Sequence, residues 1–191
     1  MSVRRQQEAS TGTLLQTKLH PPHVLAHAVA RPRLWERLDA AIDNPLIVIS
    51  APAGYGKTTL VSSWIQNLQA RSDSHFATAW LSLDERDSNL TVFLRYLCAS
   101  LERVFPGVCN YSLGLLNGPV SPPLFDLIHE LSNEMEALPE DVVLVLDDYH
   151  TLKSGDVGNL LAALTRYWPP RLHMVLVTRH RLDLPLATMR A

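Results

Sequence analysis

The chain has 191 residues, with 17 Lys and Arg against 19 Asp and Glu, so its formal net charge is −2. This balance argues against a DNA-binding domain of the usual basic type, because such domains neutralise phosphates with an excess of Lys and Arg. Hydrophobic residues make up 47% and charged residues 19%, which is typical of a globular chain and excludes general disorder.

Neither a membrane segment nor a secretory signal is expected. The longest apolar runs, such as residues 142–146, fall far short of the roughly 18 residues that cross a bilayer. The first eight residues are polar and lead into no apolar segment. Cys98 and Cys109 do not make a disulfide framework, and we expect both to be reduced. The sequence therefore predicts a cytoplasmic protein.

Strand and helix patterns alternate along most of the chain. Residues 1–30 have no clean period and are predicted to be an N-terminal lead-in, followed by one domain over residues 31–191. Apolar spacing predicts helices near 32–42, 60–68, 90–101, 121–138 and 157–164, strands at 46–49, 77–83, 142–146 and 172–177, and a Gly- and Pro-rich loop up to residue 119. This alternation indicates βαβ units, hence an α/β fold with a mainly parallel sheet and helices on both faces.

The segment between the first strand and the next helix has the composition of a P-loop. A loop that runs into a helix N-terminus presents backbone N–H groups to a polyphosphate. Lys57 can reach the β and γ phosphates, and the Thr58 hydroxyl can complete a Mg²⁺ shell. An ordinary turn is the alternative, but the flanking strand and helix favour the P-loop. The predicted nucleotide-binding residues are Ala51, Pro52, Ala53, Gly54, Tyr55, Gly56, Lys57, Thr58 and Thr59, with Ala51 where the motif usually begins with Gly.

Two carboxylates follow the buried strand at 142–146. Mg²⁺ held by Thr58 also needs an acid from a neighbouring strand end, and Asp147 is placed for that role. Asp148 could orient or activate the attacking water. Alone, such a pair is often a solvated turn, but the P-loop favours a site.

A third polar strand end is Thr178-Arg179. The planar Arg179 guanidinium suits the γ-phosphate, yet a surface Arg paired with a loop carboxylate is equally ordinary. The local sequence leaves both interpretations open.

Taken together, these residues resemble the N-terminal nucleotide-binding domain of MalT-like transcriptional activators, which are large LuxR-type regulators within the STAND class of P-loop ATPases. The tyrosine inside the P-loop and the Asp-Asp-Tyr-His run are more specific to this group than a bare Walker motif. Arg86 stands where the family often has Gly. The matching segments are residues 17–19, Pro22, 31–34, 50–59, 79–85, 147–150, 178–179 and 184–187.

The resemblance implies a role for each site residue. It assigns phosphate binding to the loop and Lys57, Mg²⁺ binding to Thr58 and Asp147, water activation to Asp148 and γ-phosphate sensing to Arg179. It places Arg31 on the adenine side of the site. The implied cofactors are ATP or ADP and Mg²⁺, and Lys57, Asp148 and Arg179 form the implied catalytic group.

Regulators of this kind are several times longer than this chain. We therefore expect a P-loop domain that is truncated after the sensor strand, without the regulators' sensor and DNA-binding parts. In the family's sheet order the phosphate-loop strand would then have a bare edge, which invites pairing with another chain. The expected partners are nucleotide and either a second copy or homologous regulator chains, with no direct DNA binding.

The leading expectation for function is an ATP-binding switch with slow hydrolysis, since a switch stores information in its bound state. Two alternatives stay open at this point. One is a non-catalytic truncated regulator that acts through protein association. The other is a P-loop kinase for a small molecule, which would need an acceptor pocket and basic lid residues.

Overall fold

Four parallel strands form the centre of the fold, in the order β1-β4-β3-β2. The computed structural model describes residues 14–25, 28–72, 75–118, 123–153, 155–164 and 168–180. The strands are β1 (Leu46–Ser50), β2 (Phe76–Ser82), β3 (Asp141–Asp147) and β4 (Leu172–Thr178). The helices are α1 (Pro32–Asp39), α2 (Lys57–Ala70), α3 (Leu90–Glu102), α4 (Asn110–Leu116), α5 (Leu124–Glu136) and α6 (Gly155–Leu164), with 3-10 helices at Gln16–Leu19, Glu85–Ser88 and Tyr149–Thr151.

The strand register brings the carboxyl ends of the strands to one edge of the sheet. Ser50 pairs with Thr178 across β1 and β4, and Ser82 pairs with Asp147 across β2 and β3. Polar side chains thus follow the apolar stretch of every strand at the same edge. In open parallel sheets, ligands bind in the crevice outside this edge.

Helices cover both faces of the sheet, as the sequence predicts. Val143, Val145, Val175 and Val177 alternate onto the face packed by α1 and α2, where Trp64 is fully buried. The side chains of Leu144, Leu146, Met174 and Leu176 point to the other face, which α3, α4, α5 and α6 cover. Because both faces are covered, residues 142–146 are completely buried, which explains their unbroken apolar run.

The predicted Gly- and Pro-rich loop up to residue 119 is wrong in part, because α4 lies within it. The Glu134 carboxylate of α5 accepts hydrogen bonds from the Tyr111 N–H at 2.7 Å and from the Ser112 N–H at 3.3 Å. Glu102 of α3 accepts from the N–H groups of Gly107 and Cys109 at 2.7 and 2.6 Å. Glu134 lies 23 positions from Tyr111, so the local pattern does not indicate this helix. The predicted helix start at Ser121-Pro122 and the family segment 184–187 lie outside the described residues.

Two further expectations concern the cysteines and the membrane. Cys98 and Cys109 are both free, as predicted, and both are buried. A hydrogen bond with Cys98, together with burial, raises the pKa of Cys109, which keeps it protonated. None of the helices in the described ranges has the length and apolar character that a bilayer crossing requires.

The Glu134 contacts predict a measurable stability effect. Glu134→Ala leaves the first N–H groups of α4 without their acceptor, so we expect the free energy of unfolding to fall by about 1–2 kcal/mol. Urea denaturation followed by circular dichroism measures the loss. An unchanged unfolding midpoint would show that α4 does not depend on this cap.

Candidate functional site

The loop between β1 and α2 turns on two glycines with left-handed backbone. Gly54 has φ 82° and Gly56 has φ 70°, a region that costs little only for glycine. Gly56 precedes the first residue of α2, so the free N–H groups of the first helical turn face the loop. A Cβ on Gly56 would lie 3.4 Å from Arg31 Nη2, so the guanidinium also approaches closely there. The loop is therefore shaped to present backbone donors to an anion.

Lys57 folds back over this loop. Its Nζ donates to the carbonyl oxygens of Ala51 at 2.6 Å and Pro52 at 3.0 Å. Pro52, Ala53, Gly54 and Tyr55 are all exposed, so the loop backbone and the ammonium group are open to a ligand. The arrangement places one positive charge beside the helix N-terminus, where anions are stabilised.

Thr58 and Asp147 meet although they lie 89 positions apart in the chain. The Thr58 hydroxyl donates to Asp147 Oδ1 at 3.1 Å. The same oxygen accepts the backbone N–H of Asp148 at 3.0 Å, and Asp147 is only 2% exposed. A hydroxyl and a carboxylate converging beside a phosphate loop are the oxygen ligands that Mg²⁺ prefers. The donor set therefore fits the predicted metal.

Burial changes the protonation of this carboxyl. Burial and the negative charge of Asp148 raise the pKa of Asp147 to about 6, although Thr58, the Asp148 N–H and Lys57 act in the opposite direction. A buried carboxylate is costly unless a cation accompanies it. A divalent cation at this position would favour the ionised form and lower the pKa again.

Asp148 is placed differently from Asp147. Its backbone is left-handed with φ 56°, which is unusual for a residue other than glycine and recurs at functional sites. Its side chain is 46% exposed, and its Oδ1 lies 3.8 Å from Nδ1 of His150. Asp148 thus presents a solvated carboxylate at the same strand end where Asp147 is buried.

Arg179 and His150 complete the polar side of this edge. Arg179 directly follows β4 and is exposed. Among the described residues, no carboxylate forms an ion pair with it. Burial lowers the pKa of His150, and the charge of Arg179 lowers it further while Asp148 opposes the change. Arg179 therefore acts electrostatically on the cluster that holds Asp148.

Arg31 joins the N-terminal lead-in to the loop. Its Nη1 donates to the backbone oxygen of Tyr55 at 3.1 Å. Beside it lies a cavity of about 340 Å³ that borders the start of α2. The lining comes from two parts of the chain: His23, Leu25, Ala28 and Val29 of the lead-in with the adjoining Arg31, and Gly56, Thr59 and Leu60 of the loop and α2. Arg31 thus links the loop at Tyr55 to the wall of this cavity.

The structure brings the sequence-predicted residues to one edge of the sheet. It also adds residues that sequence reasoning missed, chiefly the apolar lining of the cavity by Leu25, Val29 and Leu60. No motif in the lead-in signals this lining, because its residues have no helical or strand period. Within the described ranges, no group of three or more His, Cys, Asp or Glu side chains could hold a metal by itself. A metal at Thr58 and Asp147 would therefore need ligand oxygens from water or phosphate.

Comparison with known sequences identifies a family and its relatives. Residues 28–179 match the family described as Nephrocystin 3, N-terminal. The HTH-type transcriptional regulator MalT of Cronobacter sakazakii is 33% identical over 177 residues, which is 93% of this chain and 19% of the regulator. MalT of Klebsiella pneumoniae is 31% identical over the same shares. The chain thus spans about a fifth of the length of the curated relatives it matches, and the predicted MalT-like resemblance is confirmed.

Solved structures show the fold. Cdc6p from Pyrobaculum aerophilum matches 90% of this chain and 46% of its own, with a TM-score of 0.58 and 17% identity. A chain from the structure of Drosophila ORC bound to DNA matches 100% of this chain and 50% of its own, with a TM-score of 0.52 and 18% identity. These likenesses confirm the predicted P-loop fold class.

The protonation of Asp147 gives a pH-dependent prediction. Because its pKa is raised from 3.8 to about 6 in the folded protein, folding favours the protonated form. The stability that this preference provides is present below pH 4 and is lost as the pH rises through 6. Asp147→Asn mimics the protonated form, so in metal-free buffer we expect it to stabilise the protein by up to about 3 kcal/mol above pH 7 and much less near pH 4.

Urea titrations at several pH values, with EDTA present, measure this difference. Thr58→Val is the control that removes the hydroxyl without removing the buried charge. A stability difference between wild type and Asp147→Asn that stays constant from pH 4 to pH 8 would contradict the raised pKa.

Proposed function

This chain belongs to the family described as Nephrocystin 3, N-terminal, and we propose that it is an ATP-binding switch module of a MalT-like, cytoplasmic transcriptional regulator. The observation that carries the proposal is the convergence of the phosphate loop, Lys57 and the Thr58–Asp147 pair at one edge of a parallel sheet. Curated relatives named as transcriptional regulators support the regulatory context.

Phosphate binding would use the loop backbone and Lys57. The N–H groups at the start of α2 and the left-handed turn at Gly54 and Gly56 surround a space open to solvent. The Lys57 ammonium, now bonded to two loop carbonyls, can exchange them for β- and γ-phosphate oxygens because these carry more negative charge. The Lys57 side chain would therefore change its position when a phosphate group binds to the loop.

Mg²⁺ would be held by Thr58 and Asp147. When bound, the ion neutralises phosphate charge and orients the terminal phosphate. The protein's own contribution is the preformed 3.1 Å contact, which already holds the hydroxyl and the carboxylate together. Asp147 must be ionised to serve as a ligand, so metal binding should weaken below its pKa of about 6.

The nucleotide base would enter the cavity next to Arg31. Its volume of about 340 Å³ and its lining by Leu25, Val29 and Leu60 suit a flat, largely apolar ring. Arg31 bonds to the Tyr55 carbonyl and so links the base side to the phosphate loop. A preference for adenine comes from the family resemblance.

Hydrolysis would use Asp148 and Arg179. The exposed Asp148 carboxylate can orient a water, and the exposed Arg179 guanidinium can contact the γ-phosphate. Turnover should be slow, because a regulatory switch works by keeping its nucleotide. A kinase would need an acceptor pocket, whereas the Asp147-Asp148 strand end fits water activation better.

Calorimetric titration with Mg-ATP and Mg-ADP tests the proposal. We expect the wild-type chain to bind both nucleotides, and Lys57→Ala to lose about 100-fold or more in affinity because the phosphates lose a charged donor. Arg37→Ala is the matched control, since it removes an exposed cation of α1 outside the loop. Failure of folded wild type to bind either nucleotide would overturn the switch proposal and favour the truncated-regulator alternative.

Association through β1 is a second candidate activity, favoured by a specific observation. Within the described residues β1 pairs with β4 alone and no strand lies along its other edge, and Val48 on this strand is 36% exposed. An open apolar edge is a template for a strand from a second copy or from a homologous regulator.

Sedimentation velocity over a range of concentrations tests this association. We expect wild type to self-associate and Val48→Lys to shift towards monomer, because a charge on an edge strand opposes pairing. Ala51 to Lys57 remain intact in this variant, so nucleotide binding serves as its control for folding. A monodisperse wild-type monomer at every concentration would contradict the candidate.

A further inference from the structure

A buried lysine anchors the N-terminal lead-in to the domain. The Lys18 side chain is 10% exposed, and its Nζ forms ion pairs with Asp87, which is fully buried, and with Asp84 Oδ2 at 3.3 Å. The ammonium also lies 4.3 Å from the centre of the Tyr96 ring. Removing one partner of a buried ion pair is costly, because the other charge is then left buried and unpaired.

The anchor fixes the turn that follows β2. Asp87 Oδ2 also accepts the backbone N–H of Asp84 at 2.7 Å, and Asp84 Oδ1 accepts the N–H of Arg86 at 2.7 Å. Burial alone would raise the pKa of Asp84, but the Arg86 N–H and Lys18 lower it below its usual value. Asp87 Oδ1 is buried without a hydrogen-bond partner, so Asp87 depends on the bonds to its other oxygen.

This turn touches the segment that carries the acidic pair. The Leu83 N–H donates to the backbone oxygen of Asp147 at 2.9 Å. On the far side of the 3-10 helix at 149–151, the Lys153 N–H donates to Ser88 Oγ at 2.9 Å, and the Lys153 side chain pairs with Glu85. The backbone on both sides of Asp148 is thus held by the turn that Lys18 anchors.

The lead-in itself continues from the anchor to the cavity. Leu19 is buried in the core beside Lys18, and Pro21 and Pro22 then restrict the backbone. His23, Leu25, Ala28 and Val29 of the lead-in line the cavity next to Gly56 and Thr59. Lys18 and Leu19 thus fix the point from which the lead-in continues towards the cavity.

We propose that Lys18 is a positioning residue for the nucleotide site: its buried ion pair holds both the cavity wall formed by the lead-in and the turn that supports the Asp147–Asp148 segment. This inference rests on the proposed nucleotide function for its effect on affinity, but its structural part is independent of any ligand. Lys18 touches neither the phosphate loop nor the cavity, so it acts through the segments it anchors.

Amide hydrogen exchange of the nucleotide-free protein tests the structural part. In Lys18→Met, we expect the Ala28 amide, which bonds to the Leu25 carbonyl at 2.8 Å, to exchange about tenfold faster, while the amides of β3 keep their protection. Unchanged exchange at Ala28 would overturn the proposal whether or not the chain binds nucleotide.

Calorimetry with Mg-ADP tests the functional part. We expect Lys18→Met to weaken binding by about tenfold, because the cavity wall must then be ordered on binding. Glu134→Ala is the matched control: it destabilises the fold far from the site and should leave affinity within about twofold.

The double variant Lys18→Met/Asp87→Asn separates positioning from stability. It removes the unpaired buried charge, so thermal stability should recover, while affinity should stay about tenfold weak because the anchor is still absent. Affinity that recovers together with stability would overturn the positioning role. If wild type does not bind Mg-ADP but exchange at Ala28 becomes faster in Lys18→Met, the proposed nucleotide function is contradicted. The proposal that Lys18 holds the lead-in in place is then still supported.

Discussion

The contact between the Thr58 hydroxyl and the Asp147 carboxylate is the constraint on which the site depends. It requires α2 to begin directly after the phosphate loop and β3 to end beside it, two strands away from β1. The parallel register satisfies both conditions, because it places all four strand ends at one edge. Val143 and Val145 pack on the face covered by α1 and α2, and Leu144 and Leu146 pack on the other face, so a slip by one residue would exchange valines and leucines between two closely packed faces and disturb both. Packing of the core thus sets the distance between the Thr58 hydroxyl and the Asp147 carboxylate.

The two acidic residues at this edge of the sheet, Asp147 and Asp148, lie in different environments. Asp147 is buried, has a raised pKa and lies against a hydroxyl, so it suits a cation ligand. Asp148 is half-exposed on a left-handed backbone and lies near His150, so it suits contact with solvent. Two neighbouring carboxyl groups thus lie in different environments, one buried against a hydroxyl and the other open to solvent.

The sequence predicts the sheet and the loop well because both follow from short patterns. An apolar run with a tight loop and an amphipathic helix is local, and residues 46–70 form these elements as expected. The helix at Asn110–Leu116 was missed because its N-terminus is capped by Glu134, which a local pattern cannot indicate. The cavity lining at Leu25 and Val29 and the Lys18 anchor depend on contacts between the lead-in and distant segments. The family resemblance includes residues 17–19, but it does not indicate which residues Lys18 contacts.

Calorimetry of ADP binding with and without Mg²⁺, in wild type and in Thr58→Ala, tests whether Thr58 and Asp147 hold the metal of a bound nucleotide. If Thr58 and Asp147 hold the metal of a bound nucleotide, wild type binds ADP more tightly with Mg²⁺ than with EDTA, and Thr58→Ala loses most of that difference while keeping its metal-free affinity. An equal effect of Mg²⁺ in both proteins would contradict the assignment of this contact as the metal site. Absence of ADP binding under both conditions would contradict the nucleotide function itself.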